Sequence, residues 1–252
     1  MGRFFPYADP EQIIRNFRHP KGDSYNATFL YPRQGCMRIV HSVASHLDTS
    51  RISLRERLLC VDLHNHNALT DRRIIHYDNL ISTIPFPKLL SMCGIQYDPD
   101  IYSWNKVLVF NLGFDAKGPQ RRNSWMYFPE SKYCFYRVGF YDNIIGQDRM
   151  SLYVEIGFAK DQPVGNLDDL LHRTLLDLRA AGILDGQHLV ASHHVIMDPA
   201  YVHITRRSEA DKQIKMKQLA QHNVHSIGRY GAWKYCSLED NIFDAFTLAS
   251  GQ

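Results

Sequence analysis

A short strand, a glycine turn and a helix near the end of this 252-residue chain constrain its fold more than any other feature. The predicted strand covers residues 224–227, and Ser237 caps the predicted helix, with Asp240 three residues later as an imperfect capping box. The turn between them reads Gly228-Arg229-Tyr230-Gly231-Ala232-Trp233-Lys234-Tyr235. Glycines in such a turn let the backbone approach a ligand closely.

The side chains and N–H groups of this segment have the chemistry of a cofactor contact. Gly228 and Gly231 leave room beside the backbone, and the first N–H groups of the helix carry partial positive charge. That charge suits a pyrophosphate or the N1/C2=O edge of a reduced flavin, and Arg229 adds a cation. Trp233 and Tyr235 offer flat ring faces. The spacing also leaves open a strand–turn–helix corner that is filled by aromatic side chains.

Composition narrows the class of protein. Apolar residues make up 44% of the chain and charged residues 22%, as in ordinary globular proteins. A net charge of +3 is too small to indicate a nucleic-acid partner. The sequence shows no signal peptide and no membrane span, and its five cysteines are far apart. We therefore expect reduced thiols in a cytoplasmic protein.

The rest of the sequence predicts a mixture of strands and helices. An antiparallel sheet is indicated by segments rich in β-branched and aromatic residues at 106–114, 124–128, 133–141 and 151–158. Shorter strands are predicted at 27–31, 58–64, 73–77, 79–84 and 187–197, with a polar turn at 65–71. Helices are predicted at 10–17, 37–47 and 86–92, from Asn166 to Gly182, and from Ser208 to about His222.

Four segments, in order along the chain, resemble motifs of FAD-dependent enzymes of the amine oxidase, protoporphyrinogen oxidase and UDP-galactopyranose mutase type. Tyr31-Pro32-Arg33-Gln34-Gly35 resembles the Y-P-x-x-G segment beside the flavin, although Cys36 replaces the usual second glycine. His76-Tyr77-Asp78-Asn79-Leu80-Ile81-Ser82-Thr83-Ile84-Pro85 resembles the strand that closes the FAD domain. Asp198-Pro199-Ala200-Tyr201 resembles a strand that lines the substrate pocket. The glycine turn resembles the flavin-contacting C-terminal motif.

This resemblance implies an α/β to α+β fold in which the FAD-binding domain is partial. It implies a first part of that domain with a β-meander at 1–100, a mixed-sheet substrate domain at 101–222, and the last strand and C-terminal helix at 223–252. No G-x-G-x-x-G follows a strand, so the N-terminal Rossmann βαβ unit is missing. We expect that unit from a partner chain or a missing N-terminal segment. A fragment and a truncated protein with another role are the alternatives.

The resemblance also implies contacts to FAD and to a small-molecule substrate. The expected cofactor contacts are Gly228, Arg229, Tyr230, Gly231, Trp233, Tyr235, Tyr31, Pro32 and Gly35. Tyr201 is expected to contact substrate because it follows the family's tyrosine-bearing strand. Arg137 lies in an aromatic strand, where an unpaired buried charge is costly, so it either points to solvent or meets an anion. No catalytic acid or base is evident, and the histidines at 64, 66, 193 and 194 lack the neighbours of a metal site.

Three functions follow as hypotheses. The first is oxidoreduction, in which a hydride passes between the substrate and flavin N5. The second is a redox-neutral sugar-nucleotide mutase resembling UDP-galactopyranose mutase, in which arginine and tyrosine side chains hold a diphosphate. The third is a non-catalytic interaction module. Because the absent half would cover the meander and the last helix, we expect an exposed apolar face there.

Overall fold

The computed structural model describes residues 10–11, 14–15 and 29–251, in two units that divide at residue 52. In the first unit, Met1–Ile52, helix α1 covers Met37–Ala44 and confirms the helix predicted at 37–47. The helix predicted at 10–17 lies largely outside the described residues. Residues 29–31 are not in a strand, so that part of the predicted strand at 27–31 is wrong. The three predicted domain ranges stay predictions.

The second unit, Ser53–Gln252, contains the sheets and the remaining helices. Its strands are β1 (Leu58–Asp62), β2 (Asn67–Thr70), β3 (Ile74–His76), β4 (Leu80–Ser82), β5 (Ser103–Phe114), β6 (Trp125–Tyr127), β7 (Arg137–Phe140), β8 (Ser151–Ala159), β9 (Leu189–His203) and β10 (Val224–Ser226). Its helices are α2 (Phe86–Met92), α3 (Tyr141–Ile145), α4 (Leu167–Ala180), α5 (Arg206–Ala220), α6 (Gly228–Gly231) and α7 (Leu238–Ala249).

The largest sheet has five strands in the order β6-β7-β8-β5-β9, and every pairing in it is antiparallel. This confirms the antiparallel sheet expected from the β-branched and aromatic segments. Alternate residues of β5 and β8, such as Leu108, Phe110, Leu152 and Val154, are buried in a core that includes Leu178 of α4. Period-two burial of this kind fixes the register of each strand.

The β-meander consists of β1, β2 and β3, paired in that order and antiparallel. The polar turn predicted at 65–71 is therefore wrong for residues 67–70, which form β2. Its end residues, Asn67 and Thr70, are polar, and the two apolar residues between them are too few to indicate a strand. Separately, β10 pairs with β4 in parallel, with Val224 opposite Leu80 and Ser226 opposite Ser82.

Two helix starts are set by capping side chains. The Asn166 side chain accepts hydrogen bonds from the N–H groups of Asp168 and Asp169, which confirms the predicted cap of α4. The start predicted at Ser208 is wrong by three residues. Thr205 is the N-cap of α5, and Ser208 is the third helical residue, whose side chain completes a capping box with Thr205.

The predicted strand, turn and helix near the chain end are present as β10, α6 and α7. Residues 228–231 form one short helical turn, which a hydrogen bond from the Ala232 N–H to the Gly228 carbonyl oxygen closes. Gly228 itself has a left-handed φ of +80°. Ser237 and Asp240 form the predicted capping box of α7, each side chain bonded to the other residue's backbone N–H. The segment thus places Arg229 and Tyr235 beside the end of β9, where Tyr201 lies.

Candidate functional site

The large sheet positions a buried carboxylate next to an arginine. Glu155 of β8 lies directly opposite Arg137 of β7 in the strand register, and both side chains leave the sheet on the same face. Glu155 is buried between Val154 and Ile156, and it pairs with Arg137 while accepting a hydrogen bond from the Tyr136 hydroxyl. A buried carboxylate with two such partners keeps its charge compensated.

Arg137 also bonds to two tyrosines. Its guanidinium donates to the Tyr127 hydroxyl and to the Tyr201 hydroxyl, each at 3.2 Å. Burial alone would lower the pKa of Arg137, but hydrogen bonding and charge attraction from Glu155 raise it above its ordinary value. Its Nε–H is buried and has no acceptor among the residues that the structure describes. Arg137 therefore meets an anion, Glu155, and retains one donor for a ligand or water.

Two tyrosines beside this pair, Tyr136 and Tyr153, stay protonated at neutral pH. Burial raises the pKa of Tyr153 to about 12 and raises that of Tyr136 further, helped by the hydrogen bond to Glu155. Neutral hydroxyls at this position can donate as well as accept hydrogen bonds. They are suited to hold a polar substrate but not to abstract a proton.

A second arginine lies on the other side of Tyr201. The Arg229 guanidinium carbon lies 5.1 Å from the Tyr201 ring centroid and 4.8 Å from that of Tyr235. The two rings are stacked, with centroids 6.1 Å apart and planes 23° apart. Between residues 29 and 251 no carboxylate lies within ion-pair distance of Arg229. Within the described part of the chain, the positive charge of Arg229 thus contacts two tyrosine rings and no carboxylate.

The structure therefore joins residues that the sequence assigned separately. Arg229 and Tyr235 were expected at the cofactor, and Arg137 and Tyr201 at the substrate. All four lie in one connected group, which we call the Arg-Tyr cluster and which also includes Glu155, Tyr127 and Tyr136. Sequence reasoning missed Glu155, although a carboxylate within the apolar strand Val154-Glu155-Ile156 was a signal.

The glycine turn packs closely against its neighbours. A Cβ on Gly231 would lie 2.9 Å from the Ser82 carbonyl oxygen of β4. The Gly228 N–H donates to the Asp244 carboxylate at 3.2 Å, and the Arg229 N–H donates to the Asn241 side chain at 2.9 Å. Side chains of α7 therefore bind the N–H groups at the start of the turn. A Cβ on Gly228 would lie 3.2 Å from the Asn241 side chain, so close packing already accounts for both glycines.

The start of α7 still offers backbone donors. Ser237 accepts from the Asp240 N–H, whereas the N–H groups of Leu238 and Glu239 have no acceptor among the described residues. Two such donors at a helix N-terminus fit the N1/C2=O edge of a flavin. The expected flavin contact is thus compatible with the start of α7.

The other expected contacts are placed as follows. The Trp233 ring is buried between Tyr102 and Trp104, with edge-on contacts to both. The Tyr230 hydroxyl donates to the Ala200 carbonyl oxygen at 3.3 Å. In the first unit, Tyr31 and Pro32 precede a tight turn, in which the Gly35 N–H donates to the Pro32 carbonyl oxygen. Cofactor contact by these residues stays a prediction.

Within the described part of the chain, no group of three or more His, Cys, Asp or Glu side chains is arranged to hold a metal ion. Among the helices of residues 29–251, none has the length and apolar content needed to cross a membrane.

Solved structures share this fold. No family model matches the sequence. The chain is similar to reduced UDP-galactopyranose mutase, with 24% identity and a TM-score of 0.79 over 90% of this chain and 53% of that one. It is also similar to a protoporphyrinogen oxidase-like protein from Exiguobacterium sp. 255-15, with 16% identity and a TM-score of 0.73 over 94% of this chain and 54% of that one.

A conjugated-linoleic-acid-producing fatty acid isomerase from P. acnes matches less well, with 11% identity and a TM-score of 0.53 over 77% of this chain and 47% of that one. The chain thus spans about half the length of the structures it matches. At these identities the likeness shows the fold. The described structure has the fold of about half of UDP-galactopyranose mutase and of a protoporphyrinogen oxidase-like protein.

Proposed function

We propose that this chain supplies the flavin- and substrate-contacting half of an FAD-dependent sugar-nucleotide mutase. The observation that carries the proposal is the Arg-Tyr cluster, in which two guanidinium groups flank Tyr201. Arginine and tyrosine side chains are the expected contacts of a diphosphate, and the charge of Arg229 has no carboxylate partner within residues 29–251.

Each residue of the cluster has its own role in binding. Arg229 attracts the anionic group and holds the faces of Tyr201 and Tyr235 in place. Arg137 fixes the Tyr201 hydroxyl by donating to it, while Glu155 keeps the Arg137 side chain in position. When bound in its reduced form, FAD would supply a nucleophilic N5. The N–H groups at the start of α7 would hold its N1/C2=O edge.

The chemistry of the cluster favours a redox-neutral reaction over one that needs a strong base. Its carboxylate, Glu155, is occupied by both Arg137 and Tyr136, and burial raises the pKa of Tyr136 above its ordinary value. A mutase requires these side chains mainly to bind and orient an anionic substrate. Net oxidation of a substrate is the second candidate, which the fold similarity to a protoporphyrinogen oxidase-like protein supports.

A binding experiment tests the anion site directly. Uridine diphosphate is titrated into the purified chain by calorimetry, and the Arg229→Met variant is compared with Arg121→Met, which removes the same charge from an exposed loop. Loss of a charged hydrogen bond predicts binding about 10- to 100-fold weaker for Arg229→Met. Arg121→Met should bind normally. Equal affinities in all three proteins would contradict the proposed site.

The reaction type is tested in the flavin-containing enzyme. Reduced enzyme is incubated with UDP-galactopyranose, and the products are separated by chromatography. A ring isomer formed without net oxidation supports the mutase. An oxidised product supports the second candidate and would contradict the first.

A further inference from the structure

A row of three paired residues crosses the large sheet next to the Arg-Tyr cluster. Tyr153 of β8 lies opposite Gly139 of β7 on one side and opposite Asn111 of β5 on the other. Residues paired across neighbouring strands share one face of a sheet. Tyr153 is two positions from Glu155 on β8, so the row lies on the face that carries Glu155, about 7 Å away along the strand. The row therefore extends the surface of the cluster.

Gly139 makes room for the ring of Tyr153 over β7. A Cβ at Gly139 would lie 1.9 Å from the Tyr153 ring, so the ring occupies the place that a side chain of β7 would take. This position brings the ring centroid to 5.9 Å from the Arg137 guanidinium carbon and 5.0 Å from the centroid of Tyr141. Both tyrosine rings are partly exposed. Two flat side chains thus line the surface beside Arg137.

Hydrogen-bond donors lie next to these rings. The Tyr141 hydroxyl donates to the side-chain oxygen of Asn111 at 3.5 Å, and the Asn111 amide nitrogen has no acceptor among the described residues. The buried Nε–H of Arg137 has none there either. Ring faces beside unpaired N–H donors suit a planar ligand that carries carbonyl oxygens.

The proposed function sets the direction in which a sugar nucleotide would lie. Its sugar must reach the flavin, whose N1/C2=O edge that proposal assigns to the start of α7. Arg229, in the turn before α7, is then nearest the sugar. Arg229 contacts Tyr201, Tyr201 bonds to Arg137, and Arg137 lies beside Tyr153. The nucleoside end of the substrate therefore extends past Arg137 toward Tyr153.

We propose that Tyr153, Tyr141 and Asn111 form a base subsite, which binds the nucleobase of the nucleoside diphosphate. The uracil ring stacks on the face of Tyr153 that is turned away from Gly139, and the Asn111 amide donates to a uracil carbonyl oxygen. The Arg137 Nε–H donates to the phosphate at the nucleoside end. This inference rests on the proposed function, because it assigns the part of the same substrate that the Arg-Tyr cluster leaves unbound.

Calorimetry with two ligands separates the base from the diphosphate. Uridine diphosphate and inorganic pyrophosphate are titrated into the purified wild-type chain and into Tyr153→Leu. Both ligands carry two linked phosphates, whereas uridine diphosphate also carries a base. We expect wild type to bind uridine diphosphate roughly tenfold or more tightly than pyrophosphate. Tyr153→Leu should bind uridine diphosphate about tenfold more weakly and pyrophosphate as wild type does, because stacking is lost.

Three further variants separate the ring, the donor and the fold. Tyr153→Phe keeps the ring and should bind both ligands as wild type does. Asn111→Ala removes the donor and should weaken uridine diphosphate alone, by about 2- to 10-fold. Asn65→Ala, in the exposed turn between β1 and β2, should change neither affinity. Unchanged pyrophosphate binding and urea midpoints show that a variant is folded.

The base subsite and the proposed function fail in different ways. Equal wild-type affinities for the two ligands, or equal weakening of both in Tyr153→Leu, would overturn the base subsite and leave the diphosphate site at Arg229 standing. Unchanged binding of both ligands in Tyr153→Leu would also overturn it and show that the ring serves only to cover Gly139. A wild-type chain that binds neither ligand would contradict the proposed function, and the base subsite with it.

Discussion

Arg137 and Tyr201, which are 64 positions apart in sequence, are joined by a 3.2 Å hydrogen bond from the guanidinium to the tyrosine hydroxyl. The bond connects β7 to β9 across the two strands that lie between them, β8 and β5. Glu155 on β8 anchors the same guanidinium. The large sheet therefore holds the Tyr201 hydroxyl at one defined position next to Arg229.

Removing Arg137 should destabilise the protein strongly. Arg137→Met leaves the buried Glu155 carboxylate without its ion partner, which costs about 3 to 5 kcal/mol of unfolding free energy. Arg137→Met combined with Glu155→Gln removes both charges and should lose less than the single variant. Urea unfolding measures both free energies. A double variant that is less stable than Arg137→Met would show that Glu155 does not depend on Arg137.

A methyl group on Gly231 should disturb the junction between α6 and β4. Gly231→Ala places a Cβ 2.9 Å from the Ser82 carbonyl oxygen, and relief of that contact should cost about 1 to 3 kcal/mol. Gly157→Ala is the control, because its Cβ would meet Tyr136 at an ordinary 3.7 Å. Thermal unfolding compares the two variants. Equal stabilities would mean that the close approach at Gly231 is not needed.

Acid should weaken the contact between Glu56 and the β-meander. Hydrogen bonds from Arg73 and Thr70 lower the pKa of Glu56 from 4.5 to about 2. The Glu56 carboxylate thus binds a proton more readily in the unfolded state than in the folded state. Its contribution to the free energy of unfolding is fully present above the ordinary pKa of 4.5 and is lost as the pH falls toward 2. Urea midpoints between about pH 6 and pH 3 measure this loss.

In the same pH range, Glu56→Gln should show a shallower decline, because it has no carboxylate to protonate. Glu130→Gln, at an exposed loop position, should keep the wild-type slope. Identical slopes for wild type and Glu56→Gln would rule out Glu56 as a source of the acid sensitivity.

The five thiols should divide by reactivity. Cys36 and Cys60 are exposed, whereas burial raises the pKa of Cys93 and Cys134 to about 11 each and raises that of the buried Cys236. At about pH 8 a disulfide reagent should modify Cys36 and Cys60 first, because the thiolate is the reactive form. Peptide mass spectrometry gives the order. Rapid modification of Cys93 in the folded protein would contradict its burial.

Local patterns predicted the parts of the fold that are formed by neighbouring residues. Ser237 and Asp240 define the start of α7, and Asn166 defines that of α4, because caps act within one helical turn. β2 was missed because only two apolar residues separate its polar ends. The start of α5 was misplaced because Thr205 and Ser208 are both capping residue types.

The site required information that local patterns do not contain. The sequence left open whether Arg137 points to solvent or meets an anion, and its contact with Glu155 depends on the pairing of β7 with β8. Likewise, the meeting of Arg229 with Tyr201 depends on α6 packing beside the end of β9. Strand order and register are long-range properties, so the sequence named these residues separately but did not predict that they lie in one cluster.

The absorbance spectrum of the chain, purified together with the nucleotide-binding half that the proposed function requires, tests the central claim most directly. The account predicts flavin bands that uridine diphosphate perturbs in wild type but not in Arg229→Met. A sample with no flavin bands, or bands that respond equally in both proteins, would contradict it.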